Sequence, residues 1–245
     1  DGEQIAFVRD VADDKGDIFP EIFTASANDV ENATQITSLS NSNTGYPSWS
    51  PDASQIVFSS GFESDSEEIW IIDANGDNPR RLTENTFIDR DPAWSPTNPN
   101  YIVFVSDRDS LTLVEIYSMM LPESPNDAPQ IERMTYFPNS SYSPSWSQDG
   151  ERIVFISDRN GNGDIFTMRA DGQAVRIVFV DDTGAEDREP ALSPDQRWIA
   201  FISNREDNTF QLYLSSIDGQ VLNRLTNNGR QDLSVVFRPA QLDPR

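Results

Sequence analysis

The chain has 245 residues and carries 18 Lys and Arg against 41 Asp and Glu, a formal net charge of −23, with no His and no Cys. That balance repels nucleic-acid backbones and anionic lipid, so neither a nucleic acid nor a membrane surface is an expected partner. The missing residue types exclude a Ser-His-Asp triad, a cysteine nucleophile and Cys/His zinc sites, leaving carboxylate chemistry, hard cations held by oxygen, or binding without chemistry.

Lys15 is the single lysine, and Asp outnumbers Glu 27 to 14. No apolar run approaches the roughly 18 residues of a membrane span, so no membrane insertion is expected. The sequence opens on Asp1-Gly2 rather than Met. It is therefore expected to be a mature form, its export signal lost, or part of a larger polypeptide.

Read in chain order, the sequence repeats itself. Residues 1–39 hold Ile5-Ala6-Phe7, Ile22-Phe23 and Gln35-Ile36-Thr37. Residues 44–85 hold Trp49-Ser50-Pro51-Asp52, Ile56-Val57-Phe58, Ile69-Trp70 and Arg81-Leu82-Thr83. Residues 89–137 follow with Trp94-Ser95-Pro96, Ile102-Val103-Phe104, Ile116-Tyr117 and Arg133-Met134-Thr135. Residues 141–180 give Trp146-Ser147-Gln148-Asp149, Ile153-Val154-Phe155, Ile165-Phe166 and Arg176-Ile177-Val178. Residues 187–228 give Leu192-Ser193-Pro194-Asp195, Ile199-Ala200-Phe201, Leu212-Tyr213 and Arg224-Leu225-Thr226. A last anchor, Phe237-Arg238-Pro239, completes steps of 45, 52, 46 and 45 residues between anchors.

Four short β-branched and aromatic runs per unit, parted by Gly, Asn, Asp and Pro, predict four strands, and nothing sustains a helical period. Four antiparallel strands every 40–50 or so residues is the period of a β-propeller blade. The prediction is one all-β domain over 1–245, a five-bladed β-propeller of four-stranded antiparallel blades. The ends complement each other: the chain starts inside a blade and stops after a first strand. Residues 231–239 should thus join 1–39 as the first blade, Val235–Phe237 pairing with Ile5–Val8 to close the ring and cover two sheet edges.

The Trp-Ser-Pro-Asp turn, the Ile-x-Phe strand, the Ser-Asp-Arg that follows it (Ser106-Asp107-Arg108, Ser157-Asp158-Arg159) and the Asp-Gly…Arg-Leu-Thr ending resemble the TolB-type, WD-like propeller repeat family. The resemblance covers Asp1 to about Pro239. It stops short of TolB itself, since the separate N-terminal α/β domain is missing and the blades number five. It implies a bacterial origin, an extracytoplasmic (periplasmic, secreted or cell-surface) location and a protein or peptide partner.

Two sets of candidate site residues emerge. Counting back five and three from each first-strand anchor gives Thr44, Asp89, Ser141, Asp187 and Asp232, then Tyr46, Asp91, Ser143, Glu189 and Ser234. With a strand period of two these share a face, and innermost strands surround the axis, so they are expected to ring one mouth of the channel. Tyr46, Asp89, Arg90, Asp91, Tyr142, Asp187, Arg188, Glu189 and Asp232 are the ligand or partner residues on this reading. A cationic peptide segment suits their charge. The second set, Asp158, Asn160, Asn162 and Asp164, has the alternating oxygens and glycine bends of a calcium loop, although Arg169 stands where such a loop needs Glu. Calcium is the one cofactor considered.

The expected function is a non-enzymatic scaffold for a protein partner or ligand. Two alternatives accompany it: a carboxylate-dependent glycosidase of the five-bladed type, with its acid and base among the axial carboxylates, and an accessory or gating propeller of a larger enzyme such as a prolyl-oligopeptidase-type peptidase.

Overall fold

The computed structural model describes residues 2–39, 44–110, 112–124, 127–179 and 184–237. The expected anchors at Asp1, Arg238 and Pro239 lie outside them, as do Pro125 and Asn126 of the third-blade insert. Among the described residues every regular element is a strand, arranged as five antiparallel sheets in sequence order. No helix there is long and apolar enough to cross a membrane. The fold is the all-β propeller repeat with five blades.

The first sheet contains β1 (Gln4–Ala12), β2 (Ile18–Ser26) and β3 (Asp29–Gln35), and the second β4 (Gly45–Trp49), β5 (Gln55–Ser60), β6 (Glu68–Asp73) and β7 (Arg80–Arg81). The third contains β8 (Asp89–Trp94), β9 (Tyr101–Ser106), β10 (Glu115–Met120) and β11 (Gln130–Arg133). The fourth is β12 (Ser141–Trp146), β13 (Arg152–Ser157), β14 (Asp164–Arg169) and β15 (Arg176–Ile177), and the fifth β16 (Asp187–Leu192), β17 (Trp198–Ser203), β18 (Gln211–Ser216) and β19 (Leu222–Arg224).

The chain divides into two compact units. Unit 1 is Asp1–Thr112 with Tyr117–Glu132, and unit 2 is Leu113–Ile116 with Arg133–Arg245. In unit 1 the buried Val57, Ile69, Ile71, Ile102, Phe104 and Tyr117 form one cluster, and Trp94 joins it from the third sheet. Trp94 packs there against residues of the second sheet, and its Nε1–H donates to the Pro99 carbonyl at 3.0 Å. In unit 2, Val154, Ile156, Ile165, Leu192, Ile199, Phe201 and Tyr213 fill the corresponding space. The second runs of the second to fifth blades are buried on both faces, which explains why they read as continuous apolar stretches, whereas Ile5, Ala6 and Phe7 in the first are half-buried.

The Ser-Pro-Asp turns are held by their own side chains. Ser50, Ser147 and Ser193 donate to Asp52, Asp149 and Asp195 at 2.7, 2.6 and 2.6 Å. The serine oxygens in turn accept the backbone N–H groups of Gln55, Arg152 and Trp198. Lys15 occupies the exposed turn between β1 and β2, where the Asp13 carboxylate accepts its backbone N–H at 2.8 Å.

The expected closing strand departs from this pattern. Residues 231–237 form no strand, and β1 pairs with β2 alone among the described residues. The physical difference lies in the bulge that shapes the other innermost strands. Tyr46, Asp91, Ser143 and Glu189 all have positive φ, between 49° and 55°, and the ladder slips at each of them. Each is followed by proline (Pro47, Pro92, Pro144, Pro190), whose fixed φ and missing donor suit the bulge. The last copy, Asp232-Leu233-Ser234-Val235-Val236-Phe237, has valine where that proline stands. Leu233 and Val236 remain exposed.

Candidate functional site

The bulges also rearrange the predicted channel-mouth residues. A period of two places the back-five and back-three positions on one face, but the extra residue between them cancels that alternation. In unit 1, Asp89 is fully buried, whereas Tyr46 is 49% exposed. Asp89 accepts two hydrogen bonds from Arg108 Nη2, at 2.9 and 3.0 Å, and one from Asn85 at 2.8 Å. Arg108 lies over the rings of Phe104 and Tyr117. Asp91 is mostly buried, and the neighbouring Arg90 is half-buried.

In unit 2, Asp187 is equally buried and bound to Arg205 at 2.7 Å, while the Arg205 guanidinium lies over Phe179, Phe201 and Tyr213. Asp232 accepts from the Thr226 hydroxyl and from the Leu212 backbone N–H. Asp89 and Asp187, expected among the ligand or partner residues of the channel mouth, are instead buried and paired within their own blades. They are interior counter-ions of the Ser-x-Arg arginines, because a carboxylate beside a buried guanidinium is the arrangement that offsets its desolvation.

Sequence reasoning also passed over a second buried acid. Glu68 and Glu115 open β6 and β10, Asp164 and Gln211 open β14 and β18, and Glu21 holds the same repeat position inside β2. Glu21 accepts from Thr37 at 2.5 Å and from the Leu39 N–H at 2.8 Å. Glu115 accepts from Thr135, from the Phe137 N–H and from Arg133. These carboxylates tie the Arg-Leu-Thr segment to the blade interior. The recurring acid before each Ile-aromatic pair is the signal that could have revealed them.

The remaining candidates converge in unit 2. A cleft of about 520 Å³ is lined by Leu113, Asn139, Ser140, Tyr142, Asp158, Gly161, Asn162, Gly163, Gly184, Glu186 and Asn204. Tyr142 comes from the predicted channel-mouth set and Asp158 and Asn162 from the predicted calcium set, so the fold merges parts of two sites. Tyr142 donates to Asp158 at 2.9 Å. Burial, reinforced by the Asp158 charge, holds the phenol well above the ordinary tyrosine range. Burial also raises Asp158, the Tyr142 hydrogen bond opposing and the Glu186 charge assisting. Arg188, also expected at the channel mouth, pairs with Glu186 at 2.7 Å and lies over the Phe210 ring. Burial raises Glu189, with Arg188 opposing.

The cleft floor is built close. A Cβ at Gly163 would meet Tyr142 Oη and Ile156 Cγ2 at 3.0 Å and the Asp187 carbonyl at 3.1 Å. Asn139 and Asn162 donate to the Asp158 and Ala185 carbonyls, which fixes the loops that carry them.

Within the predicted calcium loop Asp158 accepts from Tyr142, and Asn162 donates to the Ala185 carbonyl. Asn160 donates to Asp164 at 2.9 Å, and Asp164 is buried. Among the described residues, no group of three or more Asp or Glu side chains gathers into a metal-binding cluster. What the cleft presents chemically is a hydrogen-bond-accepting, anionic wall at Asp158 and Glu186.

A family model described as the TolB beta propeller domain matches residues 1–131 and 126–241. The chain belongs to this family. It is 30% identical over 191 residues to the Tol-Pal system protein TolB of Francisella tularensis subsp. mediasiatica, covering 76% of this chain and 41% of that one. It is 26% identical over 166 residues to the uncharacterized peptidase YuxL of Bacillus subtilis, covering 64% of this chain and 21% of that one. The TolB propeller here thus spans well under two thirds of either curated relative. Among solved structures, TolB from Acinetobacter baumannii superimposes with a TM-score of 0.74 at 21% identity, covering 94% of this chain and 53% of that one.

Proposed function

We propose that this TolB-type propeller is a non-enzymatic binding module whose unit 2 cleft receives a cationic group of a protein partner, a Lys or Arg side chain or an amino terminus. The observation that carries this reading is the cleft itself. Its wall places the Asp158 and Glu186 carboxylates around a glycine floor, with loops held in place by their own hydrogen bonds. The chain's charge of −23 adds long-range attraction for a basic partner. Absence of His and Cys from the sequence supports binding over chemistry. An extracytoplasmic location belongs to the same proposal and follows the likeness to TolB.

The test is calorimetric titration with short Lys- and Arg-bearing peptides. Asp158→Asn with Glu186→Gln should weaken binding about tenfold or more, as expected when a buried charge pair loses a partner. The control, Glu132→Gln with Glu151→Gln, removes the same charge from exposed positions and should leave affinity within twofold. Equal losses in both variants would show diffuse attraction and sink the cleft as the site.

The likeness to YuxL favours a second reading, in which the propeller accompanies a peptidase module and the cleft holds a peptide on its way to that module. Mass spectrometry of the intact native protein separates the two readings: a polypeptide with a hydrolase module supports the second.

A further inference from the structure

Acid and arginine occur as a pair in the third and fifth blades, and the fourth keeps the arginine alone. Where the second strand is followed by Ser-x-Arg, the back-five position carries its counter-ion: Asp89 for Arg108 and Asp187 for Arg205. The second blade has neither, with Thr44 opposite a chain that reads Ser60-Gly61-Phe62. In the fourth blade the arginine is present, Arg159, but the aspartate position is Ser141.

The local scaffold is otherwise the same. Arg159 Nε donates to Ser157 Oγ at 3.1 Å, as Arg108 and Arg205 donate to Ser106 and Ser203 at 3.0 Å. The Nη2 that in the sister blades reaches a carboxylate is here buried and has no hydrogen-bond partner among the described residues. Ser141 is fully buried and spends its hydroxyl on Ser157 at 3.2 Å. The guanidinium lies between the Phe137 and Phe166 rings, 3.2 and 3.9 Å from their centroids. Aromatic faces attract the cation but supply no acceptor for its N–H groups. Among the described residues the carboxylate whose charge acts on it is Glu115, which is already hydrogen-bonded to Arg133, Thr135 and the Phe137 N–H. Burial accordingly lowers the Arg159 pKa to about 10.

We propose that unit 2 holds an anion site in its fourth blade, where Arg159 takes a halide-sized monovalent anion in the place that an aspartate occupies in the sister blades. Serine lacks the carboxylate with which aspartate meets Nη2 in the sister blades, so the acceptor is missing on that side of Arg159. Charge fixes the class of ligand: a half-buried guanidinium whose Nη2 is buried without an acceptor is costly, and a small anion restores the pair seen in the sister blades. The dry aromatic walls disfavour large, strongly hydrated oxyanions. Chloride is the natural probe. This site is separate from the cleft and does not depend on the function proposed for it.

The experiment is thermal unfolding of the full chain across a chloride series, at constant ionic strength with gluconate as the replacing anion. Wild-type Tm should rise by roughly 3–6 °C per tenfold increase in chloride above its dissociation constant. Ser141→Asp supplies the missing carboxylate from within; it should match or exceed wild-type Tm at low chloride and lose the chloride response. The same chloride slope in wild type and Ser141→Asp would overturn the site. Chloride-35 NMR on wild type alone gives a reading that needs no variant: excess line width at low chloride, removed by added bromide, is the expected result. No excess width, or width that bromide leaves unchanged, refutes the proposal.

Discussion

Replacing Asp89 by alanine removes the carboxylate from a fully buried ion pair and leaves Arg108 in place. Three hydrogen bonds go with it, two from Arg108 and one from Asn85. Arg108 is only 19% exposed and covered by aromatic rings, so water replaces little of what is lost. Breaking one side of such a pair typically costs about 3–5 kcal/mol, mostly from the stranded charge. For a chain of this size that corresponds to a Tm decrease of roughly 6–20 °C. Differential scanning calorimetry of Asp89→Ala, Arg108→Met and the double variant reads both the loss and the coupling. The double variant should recover much of the loss, since an apolar pair in place of a buried ion pair is often neutral. A loss below about 1 kcal/mol in Asp89→Ala, or strictly additive losses, would refute the reasoning that the arginine needs this counter-ion.

Gly163→Ala places a Cβ within 3.0 Å of Tyr142 Oη and Ile156 Cγ2 and against the Asp187 backbone, so it should destabilise by about 1–3 kcal/mol in urea unfolding; an unchanged midpoint would show that the cleft floor gives way freely. The pH profile of Tm should fall steeply in acid. Hydrogen bonds from Ser50, Ser193 and Ser216 hold Asp52, Asp195 and Asp218 below the ordinary aspartate range, so the stability they contribute is present above the unfolded pKa near about 3.9 and is lost as pH drops through the lower folded values. Asp158 and Glu189 act with opposite sign: burial raises them, and their penalty is relieved as pH falls through the folded pKa. Asp158→Asn should therefore flatten any gain in Tm on mild acidification while leaving the steep acid limb in place.

The repeat was legible because every blade solves the same burial problem with the same residues. In the second to fifth blades Ile56-Val57-Phe58 and its counterparts are buried on both faces, and that requirement is written into the sequence just after the turn that precedes each run. The rim residues were misread because strand alternation was carried through positions where it does not hold. Tyr46, Asp91, Ser143 and Glu189 adopt left-handed backbone, which only the following proline hinted at. Asp89 and Asp187 were read as channel-mouth residues because their partners, Arg108 and Arg205, lie 19 and 18 residues away in the turns after β9 and β17. The cleft was half legible: Tyr142, Asp158 and Asn162 were singled out, for two different sites. Glu186 and Asn204 were not: Asn204 is the middle residue of a Ser-x-Arg segment that reads as scaffold, and only the bond from the Glu186 N–H to Asn204 Oδ1 and the loop packing bring the two to the same wall.

The exposed turn between β1 and β2 carries the chain's only side-chain amine, at Lys15. Amine-directed chemistry therefore addresses the side chains at one point, in the first sheet. Immobilising the protein through that amine would present a population tethered at the same turn, a useful property for surface-based binding measurements. The reverse is a hazard: lysine-reactive cross-linkers, the usual means of trapping an unknown partner, would be nearly blind to this molecule. Carbodiimide coupling through its 41 acidic residues is the chemistry that matches its surface.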